Sequence, residues 1–357
     1  MTERDNKMKY QNIISNIKKS SKKLLSFLCI SAITSSLLCG CNQNAKQTTK
    51  SGFYFDTIIS ITLYGTNNEQ LIDDCFTMAM DYEQMLSTTI EGSDIYRINE
   101  NPGEYVSVNK ETISILEQAI KYCELSDGAF DITIGKLSDL WNFSEVSKNA
   151  TSEDNQVDTS YVPADSLIQS YLPYVNYENI KIKDQTVMIT DASSKIDLGG
   201  IAKGYIADRM KAYLQENNVT SGFIDLGGNI LCLGPKKDGS SYKIGIQEPF
   251  AVSGTSITTV NASNESVVTS GVYERYFRVD DEFYHHILDT KTGYPVENDL
   301  YSVTIISISS LEADALSTTC FSLGIDEGMN LIESLENVEA IFITNNMQLI
   351  YSSGLES

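Results

Sequence analysis

The apolar positions along the chain change period several times, and each change marks an element. Phe53–Tyr64 alternates and is rich in β-branched side chains, which predicts a strand. Over Glu69–Leu86, the residues Leu71, Ile72, Cys75, Met78, Ala79, Tyr82 and Met85 recur at helical spacing. Lys110–Leu125 repeats this with Ile113, Leu116, Ile120 and Cys123, then stops at Ser126-Asp127-Gly128. Ser144–Ser160 is polar and predicts an exposed loop. Ile180–Ile182 and Val187–Ile189 flank Lys183-Asp184-Gln185 as a hairpin. A helix is expected over Ala202–Asn217 and a strand over Gly222–Leu226, running into Gly227-Gly228. Short strands follow through Tyr301–Ile308, then a helix over Leu311–Leu323 that Gly324 ends. Ala340–Thr344 and Gln348–Tyr351 close the chain as a hairpin over Asn345-Asn346. Strands and helices mix without a βαβ rhythm, so the expected class is α+β rather than a doubly wound sheet.

The first residues read differently. Lys18, Lys19, Lys22 and Lys23 precede a short apolar run, Leu24 to Leu38, too short to span a bilayer comfortably and ending at small residues. That is the pattern of a secretory signal. Leu38-Cys39-Gly40-Cys41 resembles a bacterial lipobox, with cleavage after Gly40 and a diacylglycerol on Cys41. Residues 1–40 are then a lipoprotein signal peptide, 41–50 a polar tether and 51–357 one functional domain; Met8 offers an alternative start. The expected location is the outer face of the bacterial cytoplasmic membrane, or its periplasmic side, held by lipid. No later run is apolar enough to cross a membrane.

Charge narrows the chemistry. The formal net charge is −22, and loss of the leader takes it to about −27. Such a surface will not bind nucleic acid through phosphates. It also repels any anionic substrate unless a cation or a well-placed lysine stands between. Cys75, Cys123, Cys232 and Cys320 remain in the body without CxxC spacing, and buried free thiols are expected.

Four short segments carry candidate chemistry. Asp314 and Thr318 lie four apart on a predicted helix and share a face. A carboxylate and a hydroxyl suit a hard cation such as Mg²⁺, which completes its shell with water and substrate phosphate; alone, the pair reads more readily as a solvated helix face. Asp197-Leu198-Gly199-Gly200-Ile201-Ala202-Lys203-Gly204 reads as strand, glycine turn and helix start. Glycines admit a ligand to the backbone and helix starts attract anions, whereas Lys203 there opposes the helix dipole unless it meets a phosphate or an acid. Gly128-Ala129-Phe130-Asp131 offers an aromatic edge and a carboxylate, or a buried Phe beside a capping Asp. The two histidines, His285 and His286, are adjacent, and on a strand their rings face opposite sides. One can serve as a general base; His285 is expected to be structural or at the surface. A zinc site lacks a third histidine.

In order, the pieces FDTIISITLYG, STTIEGSDIYRIN, SDGAFDITIGKLSDLWNF, IDLGGIAKGYIADR, GFIDLGGNI, VVTSGVYERYF, YHHILDTKTGYPV and ADALSTTCFSLG resemble the FAD:protein FMN transferases, the ApbE-type flavin transferases, from about Phe53 to Gly324. The resemblance implies an α+β ApbE-type flavin transferase fold, mixed sheets with packed helices. It implies a metal-dependent reaction, with Mg²⁺ or Mn²⁺, in which FAD is split at its pyrophosphate, FMN joins a Thr or Ser hydroxyl of an acceptor flavoprotein and AMP leaves. Acceptors in the family are subunits of membrane redox complexes. Carried over by motif, Asp314, Thr318 and the Gly200 carbonyl hold the metal. Phe55, Thr89, Ala129, Phe130, Asp131, Asp197, Lys203 and Ile287 line the FAD, and His286 is the base. Phe55-Asp56-Thr57 stands where relatives have Met-Gly-Thr and Thr89 where they have an aromatic, which leaves flavin stacking open. Asp289-Thr290 replaces Asp-Pro. The alternatives are an FAD pyrophosphatase releasing FMN and AMP, and a non-catalytic FAD-binding lipoprotein.

Overall fold

The computed structural model describes residues 47–150 and 155–355. The expected signal peptide, lipidation site and most of the tether lie outside these residues. Eight antiparallel strands form one sheet in the order β1-β2-β6-β7-β10-β13-β14-β15. They are β1 (Gln47–Tyr54), β2 (Thr57–Tyr64), β6 (Gly222–Leu226), β7 (Asn229–Cys232), β10 (Ser266–Gly271), β13 (Leu300–Ser307), β14 (Val338–Thr344) and β15 (Leu349–Tyr351). Three small sheets flank it: β3 (Val106–Ser107) with β5 (Thr186–Ile189) and β4 (Ile180–Lys183), β8 (Tyr242–Gln247) with β9 (Ser256–Ala262), and β11 (Tyr276–Val279) with β12 (Glu282–His285).

Alternation along the strands divides the core. Ile59, Ile61 and Leu63 of β2, with Ile224 and Leu226 of β6, pack beneath α1 (Gln70–Leu86), α2 (Asp94–Glu100), α3 (Lys110–Leu125) and α7 (Ala202–Glu216). Each such aliphatic side chain withdrawn from water contributes roughly 1.5–3 kcal/mol. Val268, Val303, Ile305 and Phe342 pack beneath α8 (Ser310–Glu333) on the same face. The opposite face meets β8 and β9 through Ile230, Val267, Ile306 and Ile341. Trp141 anchors a satellite cluster around α4 (Gly135–Trp141), α5 (Phe143–Asn149) and α6 (Asp165–Tyr171), and its indole N–H donates to the Gly293 carbonyl at 2.8 Å.

Three expectations need correction. Phe53–Tyr64 is a hairpin, not one strand, because Phe55 and Asp56 take φ of 53° and 55° and turn the chain back. Positive φ at both central residues makes a type I′ turn, normally built from Asn and Gly. Two bulkier residues there are strained by about 1–3 kcal/mol each. Packing of Phe55 on the core and the bond from its N–H to Glu83 Oε1 at 2.7 Å offset this. Gln47–Lys50, expected as part of the tether, is strand, with Lys50 paired to Asp73 at 2.7 Å. Within Ser144–Ser160, Phe143–Asn149 is helical because Phe143 and Val146 reach the Trp141 cluster. The helix that starts at Ser310 breaks at Gly324 (φ 78°, ψ −174°), as expected, and a second helical stretch carries α8 on to Glu333.

The hairpins at Ile180–Ile189 and at the C-terminal end form with the expected partners. All four cysteines of the body are free and buried. Among the described residues no helix is long and apolar enough to cross a membrane.

Candidate active site at one end of the large sheet

The site grows from a contact between α7 and α8. Gly204 stands where the two backbones touch: a Cβ there would lie 2.2 Å from the Ser310 carbonyl oxygen. Its N–H donates to Asp314 Oδ2 at 2.8 Å, which aims that carboxylate at the start of α7. One turn further along α8, Thr318 Oγ1 lies 3.1 Å from Ser270 Oγ at the end of β10. A Cβ on Gly200 would stand 3.6 Å from Thr318 Oγ1 and 2.9 Å from Phe130 Cε2. Gly200, Thr318 and Phe130 are therefore neighbours, and the bare glycine keeps the space between them open.

Lys203, in the first turn of α7, faces acids. Burial raises the carboxyls of Asp314, Asp225 and Glu274 above their ordinary values, and the Lys203 charge pulls each back down. This accounts for a lysine at a helix start: it compensates three carboxylates rather than opposing a bare dipole. Asp225 and Glu274 had no assigned role in the sequence. Both sit inside recognised segments, one before the Gly227-Gly228 turn and one in VVTSGVYERYF, and carboxylates in glycine-rich segments were the available signal. Asp225 also accepts from the Gly228 N–H at 2.9 Å.

The two histidines separate. His285 is buried. Its Nδ1 accepts from the Ile287 N–H at 3.3 Å, so Nε2 carries the proton and donates to the Val296 carbonyl at 3.0 Å. Its ring meets Phe321 edge-on. Burial drives its pKa down to about 4. It is structural, as expected, and lies in the core rather than at the surface. His286 is held by its backbone N–H, which donates to the Arg275 carbonyl at 3.1 Å. Its Nδ1 is buried without a hydrogen-bond partner. Burial, then the charge of Arg275, take its pKa down to about 3. At neutral pH the ring is uncharged.

The expected flavin-side residues are less uniform. A Cβ on Gly227 would lie 2.1 Å from Thr57 Oγ1, so the strained Phe55-Asp56 turn abuts the Gly227-Gly228 turn and the Asp225 carboxylate. Asp197 Oδ1 accepts from the Gly199 N–H at 2.8 Å, and its own N–H donates to the Ile132 carbonyl at 2.8 Å, tying the glycine turn to the Ala129–Asp131 loop. Thr290 Oγ1 donates to the Gly128 carbonyl at 2.7 Å, fastening the segment after His286 to the same loop. Asp131 is buried and its oxygens accept from the Thr133 N–H and hydroxyl and the Tyr177 N–H at 2.7–2.8 Å. Its carboxylate thus works inside the protein. Ile287 is in the core, its carbonyl accepting from Val296. Thr89 is exposed, its N–H donating to Ser87 Oγ at 3.1 Å.

Among the described residues no three His, Cys, Asp or Glu gather as a metal cluster. A carboxylate, a hydroxyl and a carbonyl are a different donor set, one that fits a hard cation retaining water and phosphate oxygens. Asp314 and Thr318 on one face of α8, with Gly200 opposite, supply such a set. A neutral histidine, a helix-start lysine and this oxygen set at one end of an antiparallel sheet define an enzyme for a phosphate-bearing substrate.

Comparison with known proteins names the class. Residues 55–342 match the model of the ApbE family. A FAD:protein FMN transferase of Klebsiella pneumoniae is 34% identical over 298 residues, 83% of this chain and 88% of the relative. That of Treponema pallidum is 29% identical over 337 residues, 89% and 90%. The crystal structure of the ApbE protein of Thermotoga maritima superposes with a TM-score of 0.77 at 31% identity, over 87% of this chain and 98% of that one. The flavin transferase ApbE of Vibrio cholerae gives 0.75 at 25% identity, over 88% and 99%. The chain belongs to the ApbE family, the family of flavin transferases.

Proposed function

We propose that this chain transfers FMN from FAD to a protein hydroxyl. The acceptor oxygen attacks the phosphorus on the FMN side of the FAD pyrophosphate, the bridging P–O bond breaks, and AMP leaves with the bridging oxygen. The acceptor's proton passes to Nδ1 of His286. Such transfer needs alignment and charge neutralisation more than a protein nucleophile. The observation that carries this reading is the convergence of Gly200, Lys203, Asp314 and Thr318 at the Gly204 crossing, with a partner-free His286 nitrogen on the same end of the sheet.

Each residue has a part. Asp314, Thr318 and the Gly200 carbonyl would hold Mg²⁺, or Mn²⁺ in its place. Bound there, the ion would neutralise the pyrophosphate and support the leaving AMP. Lys203 adds a positive charge beside it. Incoming phosphate raises the His286 pKa from its depressed value, because negative charge favours the protonated ring, and so readies it as a base. Asp197 and the Ala129–Asp131 loop shape the flavin side through backbone and packing. The acceptor is a flavin-carrying subunit of a membrane redox complex, and lipid on Cys41 keeps the enzyme at the outer face of the membrane. The lipobox-like sequence Leu38-Cys39-Gly40-Cys41 supports that placement.

The test is incubation of purified protein with FAD, Mg²⁺ and flavin-carrying subunits of the organism's membrane redox complexes. Intact mass of the subunits is read alongside AMP. Covalent FMN with equivalent AMP is expected. AMP without a labelled subunit selects the pyrophosphatase, and FAD binding without AMP selects a carrier. Replacing Cys41 with Ser should release the protein from the membrane fraction; unchanged membrane attachment would sink the anchor.

A further inference from the structure

The crossing that carries Asp314 is locked by a carboxylate that takes no part in the chemistry above. Asp208 lies on α7, one turn beyond Gly204. Its Oδ1 accepts from the Ser310 N–H at 2.9 Å; its Oδ2 accepts from the Leu311 N–H at 3.0 Å and the Ser309 hydroxyl at 2.9 Å. The first N–H groups of a helix have no partners within it, and negative charge is favoured there. An aspartate of one helix therefore caps the other. Ser309 gives α8 its ordinary N-cap as well, accepting from the Glu312 N–H at 3.3 Å. The cap from α7 therefore adds something beyond helix initiation.

What it adds is registration. Gly204 N–H to Asp314 and Asp208 to Ser310 and Leu311 fasten the helices at two points, each one turn from the next, with backbone contact between Gly204 and Ser310. A slip of one residue moves a helix about 1.5 Å and rotates its side chains by about 100°. Such a slip would turn Thr318 away from Gly200 and Asp314 away from the start of α7. We propose that Asp208 is a positioning residue for the cation site: it sets α8 against α7 so that Asp314 and Thr318 face Gly200 and Lys203. This rests on the flavin-transferase reading and deepens it.

Three variants of the full chain test this, each read by Mn²⁺ binding (electron paramagnetic resonance, no FAD present) and by Tm. Asp208→Glu keeps the charge on a longer arm that misplaces it. Asp208→Asn removes the charge. Ser309→Ala weakens the start of α8 but leaves Asp208 bonded to Ser310 and Leu311. Both Asp208 variants are expected to bind Mn²⁺ about 10-fold more weakly or worse, the scale seen when groups supporting a metal's ligands are lost. Ser309→Ala should stay within about 2-fold of wild type at a similar Tm loss. Wild-type affinity in Asp208→Glu overturns positioning and leaves only a charge effect. Equal loss in Ser309→Ala overturns it too, because any weakening of α8 would then suffice. Either result leaves the transferase intact. A wild-type protein that binds no Mn²⁺ overturns both proposal and cation site. If Asp208→Asn does not fold, Asp208→Glu carries the comparison.

Discussion

The two sides of the site are built by different means. On the helical side, Asp314, Thr318, Lys203 and Gly200 are placed by two helices in backbone contact, bolted by Gly204 and Asp208. On the flavin side, Phe55 sits in a strained turn, Asp131 is occupied by internal hydrogen bonds and Thr89 is an exposed loop residue. The helical side holds side chains ready for a ligand. The side expected to meet the flavin offers no comparable free carboxylate at Asp131, whose oxygens are taken by Thr133 and Tyr177. Chemistry that depends on fixed charges belongs to rigid elements, whereas a planar ring system tolerates variable loop contacts.

The contrast is broken most sharply by variants that remove charge from the helical side. Asp314→Ala should lower FMN transfer by at least about 100-fold, since loss of mere supporting groups already costs 10–100-fold at metal sites. Full Mg²⁺-dependent activity in that variant would remove the metal assignment. His286→Ala should lower transfer by about 10²–10⁴-fold while FAD binding, read by flavin fluorescence, is kept. A variant that turns over normally would end the base role.

Stability separates the sides next. Gly204→Ala forces a methyl against the Ser310 carbonyl and should cost about 1–3 kcal/mol in denaturant unfolding, together with weaker Mn²⁺ binding. Asp131→Ala strands the buried donors of Thr133 and Tyr177 and should cost about 1–3 kcal/mol. The KM for FAD, measured on the folded fraction, should hardly change. A large rise in that KM would show the Asp131 carboxylate meeting the flavin nucleotide directly and erase the distinction drawn here.

This asymmetry also explains what could be read from sequence. The i, i+4 spacing of Asp314 and Thr318, the glycine turn before Lys203, and the helices over Gln70–Leu86 and Lys110–Leu125 are local patterns that the fold preserves. The Phe55-Asp56 turn escaped because its residues disobey turn chemistry and are held by Glu83, distant in sequence. The helix at Phe143–Asn149 escaped because tertiary packing on Trp141 overrides a polar sequence. Asp208 and the Lys203-facing pair Asp225 and Glu274 were invisible as a group, since only the antiparallel sheet and the helix crossing bring distant segments to one end of the molecule.

A last contrast concerns the two histidines and pH. Both have folded-state pKa values below the ordinary 6.5, His285 near 4 and His286 near 3, so the folded protein resists protonating them. Their contribution is fully present above pH 6.5. As pH falls below 6.5 the unfolded chain binds protons that the folded one does not, and stability drops by at most about 1.4 kcal/mol per pH unit for each ring. Between pH 6.5 and 5 the effect should appear as a falling Tm. His285→Phe should reduce the slope and leave FAD dependence unchanged, because His285 faces Phe321 and the Val296 carbonyl in the core. His286→Ala should also reduce it. In the wild type, adding FAD and Mg²⁺ should shrink the part that belongs to His286, because phosphate restores its basicity. If ligand instead abolishes the part that belongs to His285, the division between a core histidine and a site histidine fails.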